Sequence, residues 1–161
     1  MIKNVPTIND KHTEDLRQAV EHRATWFYFL IDEAEKRGLD VQFARDAIHQ
    51  CGCFHGQNKF PKNDDIKEFA ASFATEQVQK IFEMDVKTTD EELNIEFHYC
   101  PLVAAWKKLT NDEVKISKLC DIAMDGDRGI ISKFDKFTFE LINTIANGDE
   151  TCQVLIKKKK Y

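Results

Sequence analysis

One stretch of the sequence alternates strictly between apolar and polar residues, and it constrains the fold more than any other feature. Apolar Leu93, Ile95, Phe97 and Tyr99 take turns with polar or small residues from Asn94 to Cys100. A period of two is typical of a strand with one buried face. Met84 and Val86 alternate in the same way upstream, starting from Phe82, and the residues 88–91 suit a turn. The region therefore predicts a β-hairpin.

The end of the chain shows the same period. Phe137, Phe139 and Leu141 alternate, and so do Cys152, Val154 and Ile156. Between them, Asn147-Gly148 is a dipeptide typical of tight hairpin turns. We therefore expect a second hairpin, closed by that turn.

Other segments show helical spacing and capping signals. A long helix is expected from His12 to Arg37, ending at Gly38, and the others are expected at 40–50, 63–80, 102–109 after Pro101, and 113–124. Helices grouped before and between two hairpins indicate an α+β fold with an antiparallel sheet of about four strands covered by helices. No linker or repeat interrupts the chain, so residues 1–161 are read as a single domain with its core at about 10–158.

Charge and hydropathy exclude several classes of protein. The net charge of −5 disfavours a nucleic-acid-binding surface. The longest apolar run, Trp26–Ile31, is too short to span a membrane, and residues 1–25 lack the hydrophobic segment of a secretory signal. We therefore expect a cytoplasmic protein whose partner is a small-molecule substrate, with no nucleic acid or membrane partner and with homo-oligomerisation open. In that compartment the five cysteines would be reduced thiols.

Arg23 falls within the apolar stripe of the first predicted helix, whose members are Leu16, Val20, Phe27, Leu30, Ile31 and Ala34. An unpaired guanidinium is costly to bury, so Arg23 should either reach solvent past the core or meet a carboxylate. That carboxylate could belong to the protein or to a ligand.

Glu96, His98 and Cys100 share one face of the first predicted hairpin. Cys100 also precedes the helix that starts at Pro101, where a helix N-terminus and a neighbouring imidazole would favour the thiolate. Glu96 could orient His98. The alternative is that these residues form the solvent-facing side of the strand, since residues two apart on a strand lie roughly 6.5 Å from each other.

Cys51, Cys53 and His55 stand at alternate positions in the segment CGCFHG. They are competent metal ligands, but the usual C-x2-C spacing of zinc sites is missing. Gly52 and Gly56 favour a tight turn or a close approach to a ligand, with the thiols as buried fillers. We therefore expect no metal site and no cofactor.

A third segment, residues 119–129, carries several charges around two glycines. If the helix continues, Asp121, Asp125 and Arg128 form a solvated ion-pair patch while Asp127 points inward. If Gly126 and Gly129 break it, Asp125, Asp127 and Arg128 could turn toward a cleft as acid–base and anion-binding groups. Walker, dinucleotide-binding, nucleophile-elbow and HExxH motifs are absent, which disfavours the chemistries that they carry.

Five strings give the chain a resemblance to a known family. They are HRATWFYFLIDEAEKRGLD at 22–40, CGCFHG at 51–56, EFHYCPLVAAWKKL at 96–109, LCDIAMDGDRGI at 119–130 and GDETC at 148–152. Spread over about 130 residues, they resemble the bacterial L-2-amino-thiazoline-4-carboxylic acid hydrolase family.

The resemblance implies hydrolysis of L-2-amino-Δ2-thiazoline-4-carboxylate to N-carbamoyl-L-cysteine, a step of cysteine metabolism. Arg23 or Arg128 would bind the substrate carboxylate. An aspartate among Asp121, Asp125 and Asp127 would pair with the amidinium, while His98 activates water or Cys100 attacks directly. The expected catalytic residues are Cys100, His98, Asp125 and Asp127, and the expected substrate-binding residues are Arg23, Arg128, His55 and Trp26. A non-catalytic module that senses a small molecule or a metal is the alternative.

Overall fold

The sheet confirms the predicted fold class. In the computed structural model, which describes residues 1–160, the strands are β1 (Met84–Thr88), β2 (Glu92–Phe97), β3 (Phe137–Asn143) and β4 (Cys152–Lys158). They form an antiparallel sheet in the order β1-β2-β4-β3, so each hairpin contributes one edge strand and one central strand. The central pairing aligns Leu93 with Ile156 and Ile95 with Val154, four buried side chains.

The helices precede and separate the hairpins, as predicted. They are α1 (Lys11–Lys36), α2 (Gln42–Asn58), α3 (Ile66–Phe73), α4 (Glu76–Phe82), α5 (Pro101–Leu109), α6 (Glu113–Ala123) and α7 (Asp125–Ile131). Asp10 and Asp112 accept hydrogen bonds from backbone N–H groups at the N-termini of α1 and α6. After α1, Gly38 takes the expected left-handed conformation with φ of 70°. No helix among residues 1–160 is long and apolar enough to cross a membrane.

Two local predictions about turns and breaks are wrong. The β3–β4 connection is not a tight Asn147-Gly148 turn but a longer loop containing a short 3-10 helix, Ile145–Asn147. Thr144 caps this helix, and its N–H donates to Asp149 Oδ2 at 2.9 Å. The predicted helix over 63–80 is two helices, because Thr75 accepts a hydrogen bond from Val78 N and starts α4 anew.

The start of the first hairpin also differs from the sequence pattern. Phe82 belongs to α4 and not to a strand, and Glu83 ends that helix in a left-handed conformation with φ of 51°. β1 therefore begins at Met84. The left-handed residue turns the chain sharply from helix to strand within one position.

The charge on the buried face of α1 is Arg17, not Arg23. Arg17 is 4% exposed, whereas Arg23 is exposed and Leu30 is 63% exposed. The predicted stripe was thus rotated around the helix. The buried residues of α1 are Thr13, Arg17, Ala24, Tyr28, Ile31 and Ala34.

Arg17 and Glu83 form a buried ion pair, which we call the latch. Arg17 Nη2 lies 2.9 Å from Glu83 Oε1, and the rest of the guanidinium donates to the carbonyls of Ile8, Lys80 and Ile81. Glu83 also accepts from Thr7 N, Thr7 Oγ1 and Ile8 N at 2.7 to 2.9 Å. The latch thus joins the N-terminal segment, α1 and the α4–β1 junction.

The interior contains two apolar clusters. One packs α1, α5 and α6 around Trp106, whose Nε1 donates to Ala24 O at 3.0 Å. The other packs α3 and the C-terminal part of α7 against the sheet, with Phe69 in ring contact with Phe134 and Phe137. Met124, at the junction of α6 and α7, contacts both clusters.

Candidate active site

The helices α2 and α7 cross so closely that their backbones touch. A Cβ at Gly52 would lie 2.0 Å from Gly126 O, and one at Gly129 would lie 2.2 Å from His49 O. Only glycine fits where two backbones approach to this distance. The segment CGCFHG is therefore helical and not the predicted turn, and its glycines serve helix packing.

Asp127 lies on α7 within this crossing region. Burial raises the pKa of Asp127 to about 6, although the charges of Arg23 and Arg128 act in the opposite direction. Its carboxylate has no hydrogen bond or ion pair within residues 1–160, unlike that of Asp125. A half-buried carboxyl with a raised pKa and an open hydrogen-bonding capacity is typical of a catalytic acid or base.

His55 projects from α2 and shares the influence of Arg23. Burial, then the charges of Lys59 and Arg23, lower the pKa of His55, so the imidazole is neutral at pH 7. Its Nδ1 is buried without a hydrogen-bond partner within the described residues. Buried polar atoms are normally satisfied, so an orphaned ring nitrogen is a position for a ligand atom or a water molecule.

Cys100 stands at the N-terminus of α5, as predicted. Burial raises the pKa of its thiol, while the N–H groups of Val103 and Leu102 and the charge of Arg23 lower it. The net result favours the neutral thiol, which disfavours direct nucleophilic attack. Its backbone is fixed by Asn4, whose side chain accepts from Cys100 N at 2.9 Å and donates to Cys100 O at 2.8 Å.

Arg23 thus acts electrostatically on Asp127, His55 and Cys100 together. We call these four residues, from α1, α2, α5 and α7, the interior site; Arg23 is exposed at its edge and the other three are half-buried. Two further thiols adjoin it: burial raises the pKa of Cys152 to about 12 and that of Cys120 further still, and a charge on Cys100 would raise both. The interior site therefore combines one cation, Arg23, with groups whose ionised forms are disfavoured by burial.

Of the predicted Glu96–His98–Cys100 arrangement, the structure brings Glu96 and His98 within 4.8 Å of each other, while Cys100 lies at the N-terminus of α5 and is not part of that group. His98 Nε2 lies 3.0 Å from Asp85 Oδ2, and Glu96 instead accepts a hydrogen bond of 2.9 Å from Thr151 Oγ1. His98 is exposed, while Glu96 and Cys100 are half-buried, so the solvent-facing interpretation describes His98 but not Cys100. Asp85 was missed, although the hairpin register that pairs it with Glu96 could have identified it.

Asp125 and Arg128 form the ion-pair patch that the interpretation with a continued helix predicts. Arg128 bonds Asp125 Oδ1 at 2.7 Å and Asp121 Oδ1 at 3.0 Å. Arg45, which the sequence did not single out, bonds Asp125 Oδ2 at 3.0 Å and also pairs with Asp121. Although burial opposes it, hydrogen bonds from both arginines hold the pKa of Asp121 below its usual range. These groups already satisfy one another and join α2 to the α6–α7 region.

Trp26 is 65% exposed on α1, one turn beyond Arg23. Its ring packs on His22 with a centroid distance of 5.8 Å. It lies at the surface rather than in the core, and its only ring contact among the described residues is with His22.

Comparison with known proteins places the chain in a family. Residues 17–156 match the family model described as L-2-amino-thiazoline-4-carboxylic acid hydrolase, and the chain belongs to that family. No curated protein matches the chain.

A solved structure shares the fold. It is a trafficking protein particle complex subunit 3 from Naegleria fowleri, covalently bound to palmitic acid. The two chains are 17% identical, with a TM-score of 0.55 over 88% of this chain and 95% of the other. At this identity the likeness concerns the fold alone.

Proposed function

We propose that this protein is a hydrolase that opens a small cyclic amidine or isothiourea carrying a carboxylate, with L-2-amino-Δ2-thiazoline-4-carboxylate as its substrate. Family membership supports the hydrolase class. The observation that carries the proposal is Asp127, a carboxyl without a partner whose pKa burial raises to about 6. The charge of Arg23 acts on this carboxyl.

The reaction adds water across one carbon–sulfur bond. Water attacks the amidine carbon, the bond from that carbon to the ring sulfur breaks, and the sulfur leaves as a thiolate that takes up a proton. The product keeps the ring nitrogen and carries the new oxygen as a carbamoyl group. A catalyst must therefore remove a proton from water, supply one to sulfur and hold the two charged ends of the substrate.

The groups of the interior site match these demands by type. Arg23 would bind the substrate carboxylate, as guanidinium groups do best. Asp127 would pair with the amidinium, and the substrate's positive charge would favour its ionised form. His55, neutral and with an unpaired Nδ1, would accept the proton of the attacking water and pass it to the leaving sulfur.

Water, rather than Cys100, is the nucleophile in this proposal. The raised pKa of Cys100 leaves little thiolate at neutral pH. A covalent intermediate would therefore be unfavourable. Asp125 and Arg128 retain a structural role, since their charges are already paired.

Turnover of the thiazoline tests the proposal. The purified chain is incubated with the racemic substrate, and free thiol and carbamoyl product are measured together. We expect His55→Gln to lower kcat by about 10²- to 10⁴-fold, as loss of a general acid or base does. Asp127→Asn should also lower kcat, because the amidinium loses its counter-charge. Cys100→Ser should retain most of the activity. The matched control is Asp135→Asn, an exposed carboxylate elsewhere on the chain, which should behave as the unaltered protein.

Absence of turnover by folded protein, with and without divalent cations, would contradict the proposed substrate. Binding of the thiazoline without turnover would instead identify a non-catalytic small-molecule-binding module. Loss of activity in Cys100→Ser with retention in Asp127→Asn would replace water by the thiol as nucleophile.

A further inference from the structure

A second group of polar side chains lies apart from the interior site, on the first hairpin. Antiparallel pairing sets Asp85 of β1 directly opposite Glu96 of β2. His98 follows two residues after Glu96 and points to the same side. One ligand atom from each of the three residues lies within 4.8 Å of the others. We call Asp85, Glu96 and His98 the strand cluster.

The charges of the strand cluster are not balanced by the protein. Asp85 has His98 as its ion-pair partner at 3.0 Å, and that pair is charged only when the imidazole is protonated. Within residues 1–160, neither Asp85 nor Glu96 forms an ion pair with a lysine or arginine. With a neutral His98, two carboxylates therefore face each other at short range, and a cation between them would relieve their repulsion.

One carboxylate of the strand cluster is oriented by a hydrogen bond, and the other two residues are accessible from a groove. Thr151 Oγ1 donates to Glu96 Oε1 at 2.9 Å, which orients that carboxylate from the neighbouring loop. Asp85 and His98 also line an open groove of about 480 Å³, whose other wall includes Glu76 and Lys80 of α4. Ligand side chains that are oriented by a second polar group and open to solvent are a usual arrangement for metal sites.

We propose that Asp85, Glu96 and His98 bind a divalent transition-metal cation of the Zn²⁺ or Mn²⁺ class. One imidazole nitrogen with two carboxylates suits these ions better than Ca²⁺ or Mg²⁺, which prefer oxygen ligands alone. The separation of 3.0 Å between His98 Nε2 and Asp85 Oδ2 matches one edge of an octahedron built on metal–ligand bonds of about 2.1 Å. Three protein ligands leave coordination positions open toward the groove. This site is independent of the proposed hydrolase chemistry.

Metal binding to the full chain, prepared without a histidine tag, tests the proposal. Zn²⁺ and Mn²⁺ are titrated by calorimetry, and Co²⁺ is followed by its visible absorption, which reports nitrogen and oxygen ligation. We expect one cation per chain. Asp85→Asn, Glu96→Gln and His98→Asn should each weaken binding at least about tenfold, and Thr151→Val by about tenfold through the loss of orientation.

The matched control is Glu140→Gln, an exposed carboxylate on β3 that no part of the strand cluster contacts. It should leave the affinity unchanged. Circular dichroism verifies that each variant is folded. Equal affinity in the chain and in all three ligand variants would overturn the proposal. So would loss of the cation in Cys53→Ser, because Cys53 Sγ lies 3.6 Å from His49 Nδ1 and offers a competing site on α2.

Discussion

Two carboxylates that folding shields from water, Glu83 and Asp127, have pKa values shifted in opposite directions. Glu83 accepts hydrogen bonds from Thr7, Ile8 and Arg17, and despite its burial these partners lower its pKa. Asp127 is half-buried and has no such partner, and burial raises its pKa to about 6. Burial by itself therefore does not decide what a carboxylate does. The hydrogen-bond donors supplied by the surrounding elements make one a structural ion and leave the other available for chemistry.

The largest effect is expected from breaking the paired carboxylate. Glu83→Gln leaves Arg17 buried without its counter-charge, which should lower the free energy of unfolding at pH 7 by about 3–5 kcal/mol. Chemical denaturation measures the change. The control is Glu76→Gln: that carboxylate forms an ion pair with Lys80 at the surface, where such pairs contribute less than about 1 kcal/mol.

The pH dependence of this difference has a definite sign. Because the folded pKa of Glu83 is lowered, its contribution is complete above its unfolded pKa, near 4.5, and is lost as the pH falls through the folded pKa. The two proteins should therefore converge in stability toward acid pH. A difference that grows on acidification would contradict the latch.

The next largest effect on stability is expected from changing the α2–α7 crossing, which carries the unpaired carboxylate of Asp127. Gly52→Ala places a Cβ 2.0 Å from Gly126 O, so α2 and α7 must separate. We expect a loss of about 1–3 kcal/mol, as for other overpacked interiors, and a lower kcat on the thiazoline. Gly126→Ala is the matched control from the same crossing, because its Cβ would meet only Ile48 Cγ2 at 3.6 Å. Equal effects of the two substitutions would mean that the crossing is not as tight as described.

The smallest effect tests Asp127 itself. Because its folded pKa is raised, the folded chain retains a proton that the unfolded chain loses between about pH 3.8 and 6, so stability falls as the pH rises through that range. Asp127→Asn should therefore be more stable than the unaltered chain at pH 7.5, by at most about 3 kcal/mol, and equal to it well below pH 3.8. Thermal unfolding at both pH values measures this.

Asp125→Asn provides the contrast two residues away. Asp125 bonds Arg45 and Arg128, so its loss should destabilise the chain at pH 7.5. Opposite signs for these two neighbouring aspartates would confirm that partners, not position on α7, separate the two kinds of carboxylate.

The sequence predicted the sheet better than the helices' details. Strict alternation identified β2, β3 and β4, because side chains on a strand report directly which face is buried. Helical spacing is less decisive on α1, because apolar residues occur on more than one face of the helix. The predicted buried face includes Arg23 and excludes Arg17, whereas the structure buries Arg17. Partners 63 to 66 residues away in sequence decide that Arg17 is buried, and no local pattern contains them.

Part of the candidate site can be predicted from the sequence. Residue type singled out Asp127, His55, Cys100 and Arg23, and these four share one electrostatic neighbourhood. The glycines of the segment CGCFHG predict a turn because they have no evident role within a single helix. Their role lies in α7, where Gly126 and Gly129 complete the contact.

The sequence by itself determined the strands, the α+β class and, through its family strings, membership of the hydrolase family. These follow from local periodicity and from literal similarity, neither of which requires knowledge of distant contacts. Only the tertiary structure decided which charges are paired. Arg128 and Asp125 neutralise each other together with Arg45, Glu83 neutralises Arg17, and Asp127 is left half-buried without a partner, with its pKa raised to about 6. The physical reason is that a carboxylate's ionisation depends on its desolvation and on the donors within a few ångströms, and folding brings both from remote parts of the chain.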